Sequence, residues 1–362
     1  MEHGIERQGA DPVGKLRHAV VGSCKCRCQQ QVQENRTDPH RVAPPVGFSI
    51  YDDPTDRSRR AEFRRGPERG EPTIDKHHAL AIHGGAGAIA GRDYAATEQH
   101  LAGLAEAARQ RLAGGAHALD VVEDVVAEME TSGLYVAGRG SAPNVAGYVE
   151  LDASIMAGAT RAAGAVAAVS GIACPVRVAR GVMERTPHVL LAGAGALAFA
   201  RAEGFELVED ARAWYRLPVG VRADEARGRH GTVGAVARDR RGALAAATST
   251  GGTFGKLEGR VGDTPLVGAG TWADDDVAVS CTGVGEQIIR AGGALAVAYR
   301  LRAGASLAMA VDEMLAEVRR LGGDGGVIAV RRDGEVVMRY NSGGMKRAAV
   351  SDREPLVSKT FG

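Results

Sequence analysis

The sequence lacks any run of about 18 apolar residues, the length that an apolar helix needs to cross a bilayer. It also lacks an excess of charge of one sign, because 45 basic and 44 acidic residues leave a net charge of +1. This balance gives no overall field that would attract nucleic acid or an anionic membrane surface. We therefore expect no spanning helix, no nucleic-acid partner and no membrane partner.

Cysteine and aromatic residues are also scarce. Five cysteines in 362 residues do not form a disulfide framework at this chain length. The N-terminus lacks the basic region and apolar core of a secretory signal, so we expect a cytoplasmic protein. Aromatic residues make up 4% of the chain whereas glycine occurs 50 times. This composition favours closely approaching backbones packed through alanine and valine.

Residues 1–76 differ from the rest of the chain. They hold 7 of the 13 prolines and show no sustained apolar period, so we interpret them as a disordered extension. Cys24, Cys26 and Cys28 lie closer together than the usual spacing of zinc ligands. The arginine cluster at 57–65 has little of the aromatic interleaving of a nucleic-acid site. A solvated tail explains both clusters better than a metal site or a nucleic-acid site.

The rest of the chain predicts strands at both ends, with helices between and after them. Apolar spacing predicts helices over about 94–113 and 117–131, a helix from Pro175 to about 185, a short helix near 195–203 and two alanine-rich helices within about 285–320. Strands are expected over about 79–82, 148–155, 164–169, 232–237, 243–247, 277–281, 327–330 and 335–340. The order has no clean βαβ alternation, which argues against a doubly wound parallel sheet.

The most informative segment is Gly231-Thr232, with a polar stretch at 206–230 before it and a second threonine-rich segment at 248–252. A threonine behind a glycine can attack the preceding carbonyl, and hydrolysis then leaves it as a new N-terminus. Its free α-amine has a pKa of roughly 7.7–8.0 and can act as a base beside the hydroxyl. Thr232 is therefore a candidate nucleophile, although by itself it also fits an ordinary strand residue. The upstream part at 223–230 is expected to be an exposed tether.

Arg260 and Asp263, framed by Gly259 and Gly262, form a charged pair in the sequence. A planar guanidinium grips an α-carboxylate in two places and a carboxylate takes an α-ammonium, so the pair suits a free amino-acid ligand. A surface salt bridge in a loop also fits this pair.

Two glycine turns follow apolar strands. At Thr282-Gly283 a hydroxyl and a backbone N–H can stabilise an oxyanion, and Glu286 suits the first turn of the next helix. The segment His83-Gly84-Gly85-Ala86-Gly87 lacks the full spacing of a nucleotide fingerprint. We interpret it as a tight strand exit packed near the active site.

In order and spacing, these motifs resemble those of the plant-type L-asparaginases and isoaspartyl peptidases, which are N-terminal nucleophile hydrolases made as self-cleaving precursors. The resemblance runs from His83 to the C-terminus. It implies an α/β fold, a four-layer α/β/β/α sandwich. It also implies an α subunit at 77–231 and a β subunit at 232–362 that form one fold after cleavage between Gly231 and Thr232, and a dimer of such units.

The resemblance also implies the roles of the site residues. Thr232 is the nucleophile and Thr250 tunes it through a hydrogen bond. Arg260 and Asp263 hold the substrate's α-carboxylate and α-ammonium groups. Thr282 and Gly283 contribute to substrate binding and to the oxyanion site.

No cofactor is required by the resemblance, but a structural sodium ion is implied in the loop after the second helix. The ligands would be backbone carbonyls, which leave no side-chain signature in the sequence. Their positions are Met129, Glu130, Ser132, Tyr135, Ala137 and Arg139.

Three positions depart from the family pattern. Val136 stands where many members have asparagine, Ala157 where an aspartate is common, and Val284 where a threonine or similar residue is usual. These departures concern substrate preference and the rate of self-cleavage.

The expected activity is hydrolysis of β-aspartyl dipeptides and L-asparagine. An aspartylglucosaminidase-like amidase would use the same clamp, but the missing signal and few cysteines argue against it. A threonine aspartase suits the clamp less well, since the clamp fits a free α-amino acid. An unprocessed binding or scaffold homologue is the alternative from another class, which Val136 and Val284 keep open.

Overall fold

A computed structural model describes residues 76–218, 221 and 231–362. The extension before residue 76, with its cysteine and arginine clusters, lies outside these residues, as does the expected tether at 223–230. Among the described residues, no helix has the length and apolar character to span a membrane.

The chain forms a mixed α/β structure. The strands are β1 (Ala79–Ala86), β2 (Leu151–Ala157), β3 (Ala163–Val169), β4 (Leu190–Ala192), β5 (Val233–Arg238), β6 (Leu244–Thr250), β7 (Thr271–Ala273), β8 (Val277–Gly283), β9 (Gly325–Arg331), β10 (Val336–Tyr340), β11 (Met345–Ser351) and β12 (Val357–Lys359). The helices are α1 (Ala95–Ala113), α2 (Ala118–Ser132), α3 (Pro175–Arg185), α4 (Gly193–Ala202), α5 (Ala211–Trp214), α6 (Gly285–Arg290), α7 (Gly293–Arg302) and α8 (Leu307–Arg320), with a 3₁₀ turn at Gly138–Gly140.

The strands form two sheets. One has eight strands in the order β12-β11-β1-β5-β6-β2-β3-β4, and the other has four in the order β10-β9-β8-β7. Within the described sheets, only β3 and β4 pair in parallel. The expectation that this is not a doubly wound parallel fold is therefore confirmed.

Alternation along the strands divides the apolar side chains between three clusters. Leu80 and Ile82 pack with residues of α1, α2 and α3, whereas Ala79 and Ala81 pack with residues of the smaller sheet such as Ile328. A third cluster joins β8 and β9 to α7 and α8. Because successive strand residues point to opposite faces, each sheet contributes to two of these clusters.

Most predicted elements are present, and the helix from Pro175 to Arg185 has the expected bounds. The prediction of two helices over 285–320 was wrong, because three are present. Gly292 and Gly293 adopt positive φ values of 77° and 44° between the first two. Ser306 caps the third by accepting a hydrogen bond from Met309 N–H.

The described part of the polar stretch 206–230 packs against the rest of the fold. It contains α5, and Tyr215, only 9% exposed, donates its hydroxyl hydrogen to the Ile172 carbonyl oxygen at 3.0 Å. Trp214 lies under the Arg139 guanidinium at 5.2 Å from the ring centroid.

The sequence failed to indicate four strands, β4, β7, β11 and β12. Three of these strands have only three residues each, too short for a periodic pattern.

Strands from the two sides of the Gly231–Thr232 bond alternate in the larger sheet. Strands β1 to β4 precede that bond, and β5 onward follow it. Strand β1 lies between β11 and β5, while β2 pairs with β6. The backbone hydrogen bonds of the sheet therefore join the two parts along three separate seams.

This interleaving predicts that a chain cut between Gly231 and Thr232 stays together as one folded particle. We expect both fragments to elute in one gel-filtration peak and to separate only in denaturant, with light scattering giving the mass of the particle. Elution of either fragment by itself under native conditions would contradict this expectation.

Candidate active site

Antiparallel register brings the candidate residues to one face of the larger sheet. Four directly opposed positions on neighbouring strands form a row: His83, Gly234, Thr248 and Ser154. Directly opposed residues of antiparallel strands share a face. Thr232 immediately precedes β5, so it lies at the end of this face.

The structure brings Thr232, Thr250 and Gly231 together. Thr232 is 4% exposed, and its hydroxyl donates to the Thr250 Oγ1 at 3.3 Å. The Thr250 hydroxyl in turn donates to the Gly231 carbonyl oxygen at 2.5 Å and accepts from Gly252 N–H at 2.9 Å. Thr250 therefore contacts both the candidate nucleophile and the carbonyl that this nucleophile would attack.

Two glycines allow the backbone to approach closely here. A Cβ on Gly231 would lie 2.7 Å from the Cβ and Cγ2 of Val136. Gly85 has a φ of 101°, and a Cβ there would lie 3.3 Å from the Thr232 backbone nitrogen and oxygen. The strand exit at 83–87 is thus packed against the candidate nucleophile, as the sequence predicted.

The same strand exit also holds Thr282. Ala86 N–H donates to the fully buried Thr282 Oγ1 at 3.2 Å. Gly283 follows with a φ of 146°, a conformation that favours glycine, and a Cβ there would lie 2.4 Å from the Asp324 carbonyl oxygen. The turn after β8 is thereby fixed next to the turn after β1.

Arg260 has a protein partner that the sequence did not indicate. Its guanidinium donates two hydrogen bonds to the Glu286 carboxylate, at 2.8 and 2.9 Å. Asp263 is also close, because a Cβ on Gly285 would lie 2.8 Å from its Oδ1 and 2.9 Å from Arg260 Nη2. The sequence missed this contact because Glu286 comes from a different element, α6.

A buried charged group supports the loop that carries Arg260, and the sequence did not reveal it. Lys256 is 5% exposed and donates to the Glu150 carbonyl oxygen at 3.0 Å. Asp152, opposite Thr250 in the sheet, accepts from Ala168 N–H at 2.7 Å. Burial raises the pKa of Asp152 and lowers the pKa of Lys256. Both residues were hidden in the sequence as single charges between apolar or glycine-rich neighbours.

The loop after α2 folds back on itself where the sodium site was expected. A Cβ on Gly138 would lie 2.5 Å from the Glu130 carbonyl oxygen, and a Cβ on Gly140 would lie 2.0 Å from that of Tyr135. Three more of the expected carbonyls accept hydrogen bonds, those of Met129, Ala137 and Arg139. A carbonyl oxygen has two lone pairs, so each retains capacity for a cation.

The side chain of Glu130 points into the core beside this loop. It accepts from Val176 N–H at 3.1 Å, at the start of α3. Burial raises the pKa of Glu130 to about 8. One signal for this residue is visible in the sequence, an acid on the apolar face of an otherwise amphipathic helix.

The model of a protein family described as asparaginase matches residues 76–217 and 212–357 of this chain. The chain belongs to the asparaginase family. Its relatives include an isoaspartyl peptidase of Salmonella typhimurium, 46% identical over 294 residues and covering 74% of this chain and 94% of the relative. An isoaspartyl peptidase of Escherichia coli is 43% identical, covering 74% and 91%. An isoaspartyl peptidase/L-asparaginase of Homo sapiens is 40% identical, covering 75% and 93%.

In this member of the asparaginase family, the three positions that were expected to differ from the family pattern lie in different surroundings. Val136 packs against Gly231, and its carbonyl oxygen accepts from Gly251 N–H at 3.0 Å. Val284 donates its N–H to the Asp324 carbonyl oxygen at 3.0 Å. Ala157 donates to Ala162 at the end of β2. Of the three, Val136 is therefore in contact with the bond expected to be cut.

The double contact of Thr250 predicts the effect of Thr250→Val. This change keeps the side-chain shape but removes the donor to the Gly231 carbonyl, so self-cleavage should slow by roughly 10²–10³-fold. Denaturing electrophoresis over time measures the decline of the full-length band.

Thr360→Val is the matched control. Thr360 is fully buried, and its hydroxyl has no hydrogen-bond partner among the described residues. Equal cleavage rates for Thr250→Val, Thr360→Val and the unmodified protein would reject the role given to Thr250.

Proposed function

We propose that this protein is a self-processing amidohydrolase that cleaves β-aspartyl dipeptides and L-asparagine. The activity named for its relatives supports the substrate class. The observation that carries the proposal is the set of contacts joining Thr232, Thr250 and the Gly231 carbonyl. These contacts place a hydroxyl nucleophile and an electrophilic donor at one peptide bond.

Self-cleavage follows from this arrangement in two steps. The Thr232 oxygen attacks the Gly231 carbonyl carbon while the Thr250 hydroxyl stabilises the developing oxyanion. The Thr232 hydroxyl proton passes to the Thr232 nitrogen as the C–N bond breaks, which leaves an ester and a free amine. Water then hydrolyses the ester. The products are a Gly231 carboxylate and a Thr232 with a free amine and a free hydroxyl.

In turnover, the Thr232 hydroxyl attacks the side-chain carbonyl of the substrate and its own amine accepts the proton. The Thr282 hydroxyl and the Gly283 N–H hold the oxyanion. The amine then returns the proton to the leaving nitrogen, and water releases aspartate from the acyl-enzyme. Thr232 therefore supplies attack and proton transfer within one residue.

Arg260 and Asp263 bind the free amino-acid end of the substrate in this proposal. The Glu286 carboxylate, 55% exposed, occupies two positions of the Arg260 fork. This geometry is the one that a substrate α-carboxylate would take. When the substrate binds, its α-carboxylate replaces the Glu286 carboxylate on Arg260. The buried Asp263 receives the α-ammonium group.

The proposal also includes the order in which the layers of helices and sheets pack on one another. The larger sheet shares one apolar cluster with α1 to α3 and another with the smaller sheet, which shares a third with α7 and α8. These clusters support a four-layer α/β/β/α sandwich of the N-terminal nucleophile type. The subunits would be 77–231 and 232–362.

Cytoplasmic location and pairing of two such units complete the proposal. Among the described residues Cys174 and Cys281 are free thiols, which agrees with a reducing compartment. The light-scattering mass proposed above distinguishes one unit from two.

The loop at 129–140 suits a structural sodium ion. Gly138 and Gly140 leave the Glu130 and Tyr135 carbonyls without a side chain against them, and all six expected donors are backbone oxygens, which suit a hard cation. The ion would stiffen the loop that carries Val136 against Gly231.

Sodium binding to the folded state predicts a higher melting temperature in sodium chloride than in choline chloride at equal ionic strength. Differential scanning fluorimetry measures the shift. Identical melting temperatures across a sodium titration would exclude the ion from this loop.

The proposed function predicts release of aspartate from both β-aspartyl-leucine and L-asparagine, and Thr232→Ala should abolish both turnover and self-cleavage. Coupled assay of aspartate and mass spectrometry of the purified protein measure the two effects. Activity retained by Thr232→Ala would reject the nucleophile. An intact, inactive wild-type chain would favour a scaffold homologue, and activity confined to glycosylated asparagine would favour an aspartylglucosaminidase.

A further inference from the structure

Five fully buried polar side chains form a continuous hydrogen-bonded path beneath Thr232. His83 Nδ1 lies 3.1 Å from the Thr232 carbonyl oxygen, and His83 Nε2 lies 2.9 Å from Ser280 Oγ. Ser280 then contacts Thr248 at 2.8 Å, Thr248 contacts Thr271 at 2.5 Å, and Thr271 contacts Ser154 at 2.8 Å. All five side chains have 0% exposure. We call Ser280, Thr248, Thr271 and Ser154 the hydroxyl chain.

The path has one consistent direction. Burial lowers the pKa of His83 to about 3, so its ring is neutral and carries a single N–H. The Thr232 carbonyl can only accept, so that hydrogen is on Nδ1, and Nε2 must accept from the Ser280 hydroxyl. Thr248 must then donate to Ser280, and Thr271 to Thr248. Ser280, Thr248 and Thr271 thus help to fix the tautomer that points a donor at Thr232. The chain ends at Ser154, whose single hydrogen is shared between Thr271 Oγ1 and the Thr264 carbonyl oxygen at 2.6 Å.

Gly234 shows that the protein makes room for this path. A Cβ at Gly234 would lie 2.1 Å from Ser280 Oγ and 2.5 Å from His83 Nε2. Gly234 stands in the row between His83 and Thr248. A side chain there would separate the imidazole from the hydroxyl, so the glycine is needed for the contact between the two sheets.

We propose that His83 is a positioning residue for the nucleophile, and that the hydroxyl chain acts through it on Thr232. This inference rests on the proposed function. Before cleavage, peptide bonds restrain Thr232 on both sides. Cleavage frees the amino side, and the carbonyl held by His83 then becomes the main-chain contact that orients the amine and hydroxyl.

A purely structural role, joining the two sheets, makes a different prediction. Loss of sheet contact would lower the melting temperature without a selective effect on the chemical step. Loss of positioning would lower kcat while KM stays nearly constant, because Arg260 and Asp263 hold the substrate independently of His83.

The first test compares two amide variants of His83. His83→Asn places an N–H donor near the position of Nδ1, whereas His83→Gln places its amide near Nε2 and leaves the Thr232 carbonyl without a donor. We expect kcat for β-aspartyl-leucine to fall by about tenfold or more in His83→Gln, from loss of a buried hydrogen bond. His83→Asn should recover most of this loss at unchanged KM.

The second test examines the hydroxyl chain through Ser280→Ala, a mild change that keeps the histidine. In the wild-type background it should lower kcat, because His83 Nε2 loses the hydroxyl donor that favours the Nδ1–H tautomer. It should add little to His83→Asn, whose donor does not depend on Ser280. Strong non-additivity in this double-mutant cycle would support action through His83. Thr360→Val is again the control for loss of a buried hydroxyl.

All rates are normalised to the folded, cleaved fraction, measured by circular dichroism and densitometry. Equal kcat for His83→Gln and wild type overturns the inference, as do additive effects of His83→Asn and Ser280→Ala. If either of these results overturns the inference while Thr232→Ala is inactive, the proposed function still stands. A wild-type protein that releases no aspartate rejects the proposed function and this inference with it.

Discussion

The register of the central strands β1, β5, β6 and β2 is the constraint on which the site depends. It places His83, Gly234, Thr248 and Ser154 in one row and sets Thr232 beside Thr250 at the end of the same face. A slip of one residue would turn these side chains toward the helices. Because the four strands come from both sides of the Gly231–Thr232 bond, the site exists only when the two parts are paired.

One apolar row and one polar row of side chains hold the two sheets together. The row next to His83 consists of Ala81, Val236, Ala246 and Met156, all packed against the smaller sheet. This row excludes water and stabilises the contact between sheets. The polar row costs desolvation unless each group is paired, and the hydrogen-bonded path supplies these pairs. Polarity is therefore concentrated where the chemistry requires it, at one end of an otherwise apolar interface.

The sequence revealed the local parts of the site and missed the contacts between sheets. The family resemblance implied the contact of Thr250 with Thr232, and helix bounds followed from apolar periodicity. No sequence pattern indicated a role for Ser280, because its partner His83 is 197 positions away and lies on the other sheet. The Glu286 partner of Arg260 was missed for the same reason. Spacing within one element reports its faces, but not which element packs on them.

The apolar side chain at position 136 makes these missed contacts more important. In this chain Val136 meets Gly231 through methyl groups, so it restrains position without offering a donor or acceptor. Within the part of the chain that the structure describes, Thr232 contacts the side chains of Thr250 and His83 through hydrogen bonds. Orientation of the threonine therefore depends on these two contacts, because Val136 adds no hydrogen bond.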